Sequence, residues 1–306
     1  MRFYIIDAFA DQLFGGNPAG VVILPEGSSF PSPETMVKAA AEFRYSETAF
    51  ILKKSDGKFN IRYFTPTDEV DLCGHATIAS FCALLEAGLV KDNNTYGIET
   101  LAGNLNVKVE NGLVMMDMAS PESLGAIEDK DDLKELYGVM GLSLDEGEVI
   151  LDNEWTLLPE KISTGLPDII LPVANRDLLD RIKPDFKSLS ELSEKYGVVG
   201  VHAFSLGEGL LGDSCPEPNQ VTAYCRNFAP LYGIDEEAAT GTANGALTYY
   251  LYKNTLIDDG AECLFIQGEA MKRPSKVLSC IALEDEGVNV KVGGRGVIVA
   301  QGRVNL

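Results

Sequence analysis

The segment RYFTPTDEVDLCGHATIASFCALLEAGL, residues 62–89, sets Arg, Pro, Asp, Glu, Cys, Gly and His in front of an apolar run. A second segment, RNFAPLYGIDEEAATGTANGALTYYLYKNTL, residues 226–256, repeats its plan. Arg62-x-Phe64-x-Pro66 matches Arg226-x-Phe228-x-Pro230 at an offset of 164, and Gly74 matches Gly241 at an offset of 167. Three extra residues within GIDEEAAT account for the difference, and each copy reaches a leucine (Leu89, Leu256) 15 residues after its glycine. Self-similarity kept in order predicts two halves of like topology. Each half is a strand, a turn and a helix that opens at a glycine.

The two helices share a second property. Ile78, Ala79, Phe81, Cys82, Leu84, Leu85 and Leu89 leave the first almost no polar face, and Ala243, Ala246, Leu247, Tyr250 and Leu251 do the same for the second. A helix apolar all round is a buried helix. A curled, mostly antiparallel sheet around each helix would bury it, and so would an ordinary α+β layer. The halves are placed at 1–120 and 121–306, where ASPES breaks the pattern near Pro121, with helices from about 75 and about 242 and a last strand free to return to the first half.

The flanking segments fit this plan. RFYIID alternates like a strand, GGNPAG reads as a tight turn, and VVIL as the next strand. SPETMVKAAAEF starts a helix, with Ser32 as N-cap, Pro33 in the first turn and Glu34 near the positive end. TAFILKK and KFNIRYF form a hairpin across SDG, and a meander of GIETLAG, LNVKVE and LVMMDM turns at Asn111–Gly112. In the second half DDLKELYGVM and PDFKSLSELSEKYG are amphipathic helices. GVVGVHAF, QVTAYCR, ECLFIQG, KVLSCIAL and VNVKVGG are strands, and GDSCPEPNQ is a loop.

Composition narrows the function. The 306 residues are 45% hydrophobic and 23% charged, which is globular. A net charge of −21 argues against nucleic acid and against an anionic membrane surface as partners. The N-terminal MRFYIIDAFADQLFGGNP lacks the long apolar region of a signal peptide, and no apolar run is long enough to span a bilayer. Six scattered cysteines without a CxxC pair point to reduced thiols and a cytoplasmic setting. The two histidines, His75 and His202, lie in neither HExxH nor a cysteine cluster, so a zinc site is not expected.

The first N–H groups of a buried helix are unpaired and partly positive, so helices opening at Gly74 and Gly241 are ready sites for an anion. Facing each other across a cleft between the halves, they could hold a small carboxylate without an arginine cluster. Taken one at a time these glycines read as turn formers; as a repeated pair they favour a site. Glu47, in RYSETAF, stands between a helix and an apolar strand. A carboxyl there can have a raised pKa and act as acid or base, although Ser46-Glu47-Thr48 reads more simply as a solvated corner. His75 follows Gly74 in the first helical turn, where the dipole disfavours imidazolium and leaves a neutral, hydrogen-bonding ring or a satisfied core histidine. Glu236 and Glu237 precede the second helix, as a second acid–base group or as plain helix-start acids. Cys73 could be an activated thiolate, but Thr240 stands at its counterpart, so a two-thiol mechanism is unsupported and a structural role is preferred. GEGLLG at 207–212 matches GxGxxG but runs into DSCPEP, which cannot open a helix. Neither GxxxxGK[ST] nor GxSxG occurs.

Taken together, GNPAGVVIL, AAEFRYSETAFI, IRYFTPTDEVDLCGHATIAS, RNFAPLYGIDEEAATGTANGAL and QGEAMKRPS resemble the PhzF-like family of phenazine-biosynthesis isomerases. The resemblance implies the diaminopimelate-epimerase-like fold: α+β, two pseudo-symmetric halves, each a curled sheet around a central helix, with the site between them. It implies cofactor-free proton transfer by the glutamate of the SET motif, here Glu47, which displaces the solvated-corner reading. It also implies that Gly74 and His75 hold substrate, and that the protein is a homodimer. The family's EDPxTGS reads EEAATGT here, with Glu237, Ala238 and Thr242 in place of Asp, Pro and Ser. The extra methylene displaces the carboxylate by about 1.5 Å, a shift large enough to matter in catalysis. A different substrate from the phenazine pathway's is therefore expected. Glu47, His75 and Glu237 are the expected catalytic groups, with Gly74, Thr240, Gly241 and Thr242 binding the substrate and no metal or cofactor. Two other readings stay open: a two-base epimerase using Glu47 and Glu237, and a lapsed ligand-binding or scaffold protein.

Overall fold

A computed structural model describes the chain except residues 152–154, 208–209, 211–219 and 286, and describes only the backbone of Trp155. The loop expected over GDSCPEPNQ and most of GEGLLG lie outside the described residues. The chain divides into two compact units: Met1–Asp117 with Gly293–Leu306, and Met118–Val292.

The first elements are β1 (Arg2–Ala8), β2 (Asn17–Ile23), α1 (Pro33–Phe43), β3 (Thr48–Lys53) and β4 (Phe59–Phe64). Next come β5 (Glu69–Val70), α2 (Gly74–Glu86), β6 (Asn94–Thr100), β7 (Gly103–Glu110) and β8 (Leu113–Asp117). After these follow β9 (Glu122–Ala126), α3 (Lys130–Val139), α4 (Leu144–Gly147), β10 (Val149–Leu151), β11 (Trp155–Leu157), β12 (Glu160–Ser163) and β13 (Pro167–Pro172). Then come α5 (Arg176–Arg181), α6 (Phe186–Tyr196), β14 (Gly200–Leu206), β15 (Ala223–Ala229), a 3-10 turn (Pro230–Tyr232) and β16 (Ile234–Glu237). The last elements are α7 (Gly241–Lys253), β17 (Glu262–Gln267), β18 (Ser275–Glu284), β19 (Gly287–Gly294) and β20 (Gly296–Arg303).

Both units repeat one strand plan. In the first, β2 runs parallel to β3, β3 antiparallel to β4, and β4 parallel to β6. In the second, β13 runs parallel to β14, β14 antiparallel to β15, and β15 parallel to β17. A parallel pair needs a long crossover. The crossovers from β4 to β6 and from β15 to β17 are α2 and α7, the two repeated helices. The pairs β1–β2, β1–β20, β6–β7 and β7–β8 are antiparallel. The fold is the α+β class expected.

Each repeated helix is sheathed by strands. Nine of the 13 residues of α2 are buried, and it packs on β1, β2, β3, β8 and β20. Nine of the 13 residues of α7 are buried as well, against β12, β13, β14 and β18. Burial this complete removes the choice left open by the sequence, since a two-layer packing would leave one helix face wet. The other face of the β13–β14–β15 strands carries Ile169, Leu171, Val201, Ala203 and Phe228, which form one core with α3, α5 and α6.

The repeated Arg-x-Phe-x-Pro motif has a structural reason. Arg62 makes two hydrogen bonds to the Glu69 carboxylate, both 2.6 Å, and so ties β4 to β5. Arg226 does the same to Glu236, at 2.8 and 2.9 Å, tying β15 to β16. Its remaining nitrogen donates to the carbonyls of Leu179 and Ile182 at the end of α5, which carry the negative end of that helix.

Local expectations mostly hold. Ser32 caps α1 by accepting from Thr35 N, and Asn111 and Gly112 both adopt positive φ, the requirement of the tight hairpin turn between β7 and β8. One expectation fails: GGNPAG is not a turn throughout. The tight turn lies just upstream, where Gly15 N donates to the Gln12 carbonyl at 3.4 Å, and β2 already begins at Asn17. Pro18 is tolerated because β3 pairs with β2 only from Gly20 onward, so no ladder bond is lost on that side.

Candidate active site

The head of α2 gathers five polar side chains. Helix α1 ends at Arg44 in the left-handed conformation, which turns the chain sharply into β3. That turn places Ser46 and Glu47 beside the first turn of α2. Glu47 Oε2 lies 3.2 Å from His75 Nε2, with side-chain exposures of 15% and 5%. Ser46 Oγ is 3.4 Å from the same nitrogen. On the other side of the ring, Nδ1 faces Cys73 Sγ at 3.4 Å and the Asn17 amide at 3.3 Å. Tyr63 and Thr77 fix the helix beneath this group through a 2.6 Å hydrogen bond.

Two electrostatic expectations are corrected. Burial alone would raise the Glu47 pKa, but the positive charge of His75 and hydrogen bonds from His75, Ser46 and Cys73 outweigh it and hold the carboxyl below its ordinary value. Burial alone would keep His75 neutral, but Cys73 and Glu47 favour its charged form, and its pKa is raised well above the ordinary value. Burial, and then Glu47, push the Cys73 thiol up, so it stays protonated at neutral pH and Glu47 is the charge that counts. At 3.2 Å and an effective dielectric of about 20 the attraction is about 5 kcal/mol. The opposing helix dipole contributes about 0.3–1 kcal/mol. Both shifts favour the carboxylate–imidazolium form of the pair. Glu47, Cys73 and His75 each offer one donor atom, all within 4.8 Å of one another, and could hold a metal ion. Such an ion would have to displace the Cys73 proton first. Spacing motifs in the sequence do not show this set, because its members converge from β3 and the head of α2.

The head of α7 is built differently. Thr240, the N-cap, donates from Oγ1 to Glu237 Oε2 at 2.6 Å. Gln267 accepts from Thr240 N and from Asn244 Nδ2, and donates to the Glu237 carbonyl. Thr164 Oγ1 donates to the carbonyl of Thr242. Of the two acids offered by the sequence, Glu236 is taken by Arg226 and Glu237 stands at the helix head. Gly74 and Gly241 are the first residues of their helices, so their N–H groups, and that of Thr242, have no acceptor within the helix.

Glu47, Gly74 and His75 are thus brought together in the first unit, and Glu237, Thr240, Gly241 and Thr242 in the second. Asn17 and Ser46 join the first cluster without being singled out by the sequence. Both lie in stretches that match the family, GNPAGVVIL and AAEFRYSETAFI, and that was the available signal. Cys73, assigned a structural role, touches His75 directly.

Known proteins are similar to the chain over nearly its whole length. The family model described as "Phenazine biosynthesis-like protein" matches residues 6–302. An uncharacterized isomerase of Deinococcus radiodurans is 32% identical, with 98% of this chain and 94% of the relative covered. The trans-2,3-dihydro-3-hydroxyanthranilate isomerase of Pseudomonas fluorescens is 30% identical, covering 100% of this chain and 99% of the relative. The crystal structure of a PhzF-family phenazine biosynthesis protein from Bacillus anthracis superposes with a TM-score of 0.83 at 27% identity, covering 100% of this chain and 99% of that one. Among the described residues no helix is long and apolar enough to cross a membrane.

Proposed function

The chain belongs to the phenazine biosynthesis-like family, and from that premise we propose that it is a cofactor-free isomerase that moves a proton on a small carboxylate, with Glu47 as the acid–base group. The observation that carries the proposal is the buried Glu47–His75 pair at the head of α2. Glu47 is ionised at rest, as a base must be. Its basicity is held in check by His75 rather than by water. A substrate that draws the imidazolium proton toward its own polar substituent removes that check, and burial then favours proton uptake by Glu47. The same carboxyl returns the proton to a second carbon. The N–H group of Gly74, at the head of α2, receives the substrate carboxylate and stabilises the negative charge that develops on deprotonation.

The test is proton NMR in deuterated water with trans-2,3-dihydro-3-hydroxyanthranilate, the substrate in the name of the Pseudomonas fluorescens relative, together with other small carboxylates. Isomerised product from the wild type, and none from Glu47→Gln, supports the proposal; full turnover by Glu47→Gln overturns it. Stereochemical inversion with deuterium entering the product would instead support a two-base epimerase.

A further inference from the structure

The head of α2 brings three kinds of metal ligand to one point: a carboxylate, a thiol and an imidazole. Glu47 stands just before β3, and Cys73 and His75 flank Gly74. One donor atom of each lies within 4.8 Å of the other two. The separations can be set against those around a bound ion. Zinc holds nitrogen at about 2.0–2.1 Å, carboxylate oxygen at about 2.0–2.2 Å and sulfur at about 2.3 Å. Tetrahedral angles then put neighbouring ligand atoms about 3.3–3.6 Å apart. Glu47 Oε2 is 3.2 Å from His75 Nε2, and Cys73 Sγ is 3.9 Å from the same nitrogen. Sγ is also 3.4 Å from Nδ1, so it lies beside the ring rather than on the line of either nitrogen lone pair. Binding therefore needs the His75 ring to turn about its Cβ–Cγ bond, which sets the affinity below that of a preformed zinc site.

A group stands ready behind the ring. Asn17 is buried, and its side-chain amide is 3.3 Å from Nδ1. A histidine bound to a metal through one nitrogen donates its other N–H to an oxygen, and that partner fixes the ring. An asparagine amide can present its oxygen for this purpose. Glu47 is the most exposed of the three ligands and so marks the side of entry. Thiolate and imidazole select zinc, cobalt and cadmium over magnesium and calcium, which want oxygen ligands.

We propose that Glu47, Cys73 and His75 form an inhibitory site for a thiophilic divalent cation such as Zn²⁺, with Asn17 orienting His75 from outside the ligand set. A metal–sulfur bond forms as the Cys73 S–H bond breaks and its proton leaves to solvent. A metal–nitrogen bond uses the Nε2 lone pair, so a proton on Nε2 leaves as well. The carboxylate binds as it stands, and nothing is oxidised or reduced. Water completes the tetrahedron. The ion would occupy the carboxylate to which the isomerase reading assigns proton transfer. The site stands on its own geometry, and only its inhibitory effect rests on that reading.

The test is optical titration of the full, reduced chain with Co²⁺ at neutral pH. One ion per chain should bind, with a thiolate-to-cobalt charge-transfer band in the near ultraviolet, and Zn²⁺ should bleach that band while Mg²⁺ leaves it intact. Cys73→Ser should remove the band. Asn17→Ala, which removes no ligand, should keep the band and weaken binding about ten- to a hundredfold, the cost of a lost outer partner. Glu47→Gln keeps the sulfur and the side-chain shape and should also weaken binding, which keeps the test open if Cys73→Ser fails to fold. A band that survives in Cys73→Ser would put the ion on another of the six cysteines. That result, or bleaching by Mg²⁺, or no Co²⁺ binding by the wild type, overturns the site and leaves the isomerase reading untouched. If the ion binds with the expected band and turnover continues, the inhibitory role falls, and Glu47 as the acid–base group falls with it.

Discussion

Glu47→Gln removes one charge from the head of α2 and keeps the shape of the side chain. The attraction lost, about 5 kcal/mol at an effective dielectric of about 20, is the term that holds His75 charged 3.2 Å away. Without it, burial and the helix dipole both favour the neutral ring, so the His75 pKa should fall. The chain has only two histidines, and His202 is pushed down to about 3 by burial. The imidazole resonance that titrates above the ordinary histidine value is therefore that of His75. Stability should follow with a definite sign. The His75 pKa is raised when folded, so its contribution is fully present below 6.5 and is lost as pH rises through the folded value. The Glu47 pKa is lowered when folded, so its contribution is present above 4.5 and is lost as pH falls through the folded value. Wild type should then exceed Glu47→Gln by about 3 kcal/mol, the lower end for breaking a buried pair, and the gap should be widest between pH 4.5 and 6.5. Urea unfolding across pH, with imidazole NMR in parallel, measures both quantities. A His75 resonance that titrates at the same or higher pH in Glu47→Gln, or a stability gap that does not vary with pH, would refute the ion-pair assignment.

Further outcomes are expected. Arg226→Ala should cost about 3–5 kcal/mol in chemical unfolding, because it strands the Glu236 carboxylate and frees two carbonyls at the end of α5. Arg62→Ala should cost less, since the Arg62–Glu69 pair is more exposed (22% and 20%) than Arg226–Glu236 (10% and 16%). Cys73, held up by burial and then by Glu47, should be alkylated by iodoacetamide more slowly than a free thiol. Mass spectrometry of the Cys73 peptide follows that reaction; a rate equal to or above that of a free thiol would show that burial does not hold the thiol up.

Much of the fold was legible in the sequence because it is written twice. Apolar positions all around residues 74–89 and 241–251 demand burial whatever the packing partner, and the paired glycines fix where each helix starts. Caps and turns such as Ser32 and Asn111–Gly112 are set by local backbone chemistry, so they too could be read directly. GGNPAG misled because a proline's cost depends on whether a neighbouring strand needs its N–H, and that is a property of the ladder.

The site divided along the same line. Glu47, His75 and Glu237 were identifiable from motif and position, but their charge states were not. A carboxyl near an apolar strand and a histidine at a helix head each have a default pKa shift, and both defaults reversed once the two stood 3.2 Å apart. Pair energies depend on separation, which sequence spacing of 28 residues does not encode. Likewise no spacing of Glu47, Cys73 and His75 along the chain reads as a metal-ligand set. Only the packing of the head of α2 beside the start of β3 brings their donor atoms within 4.8 Å of one another. The sequence by itself determined the two helices, their glycine starts and the acids near them; tertiary structure decided which of those groups share a charge, because electrostatic coupling is a matter of distance and dielectric rather than of order along the chain.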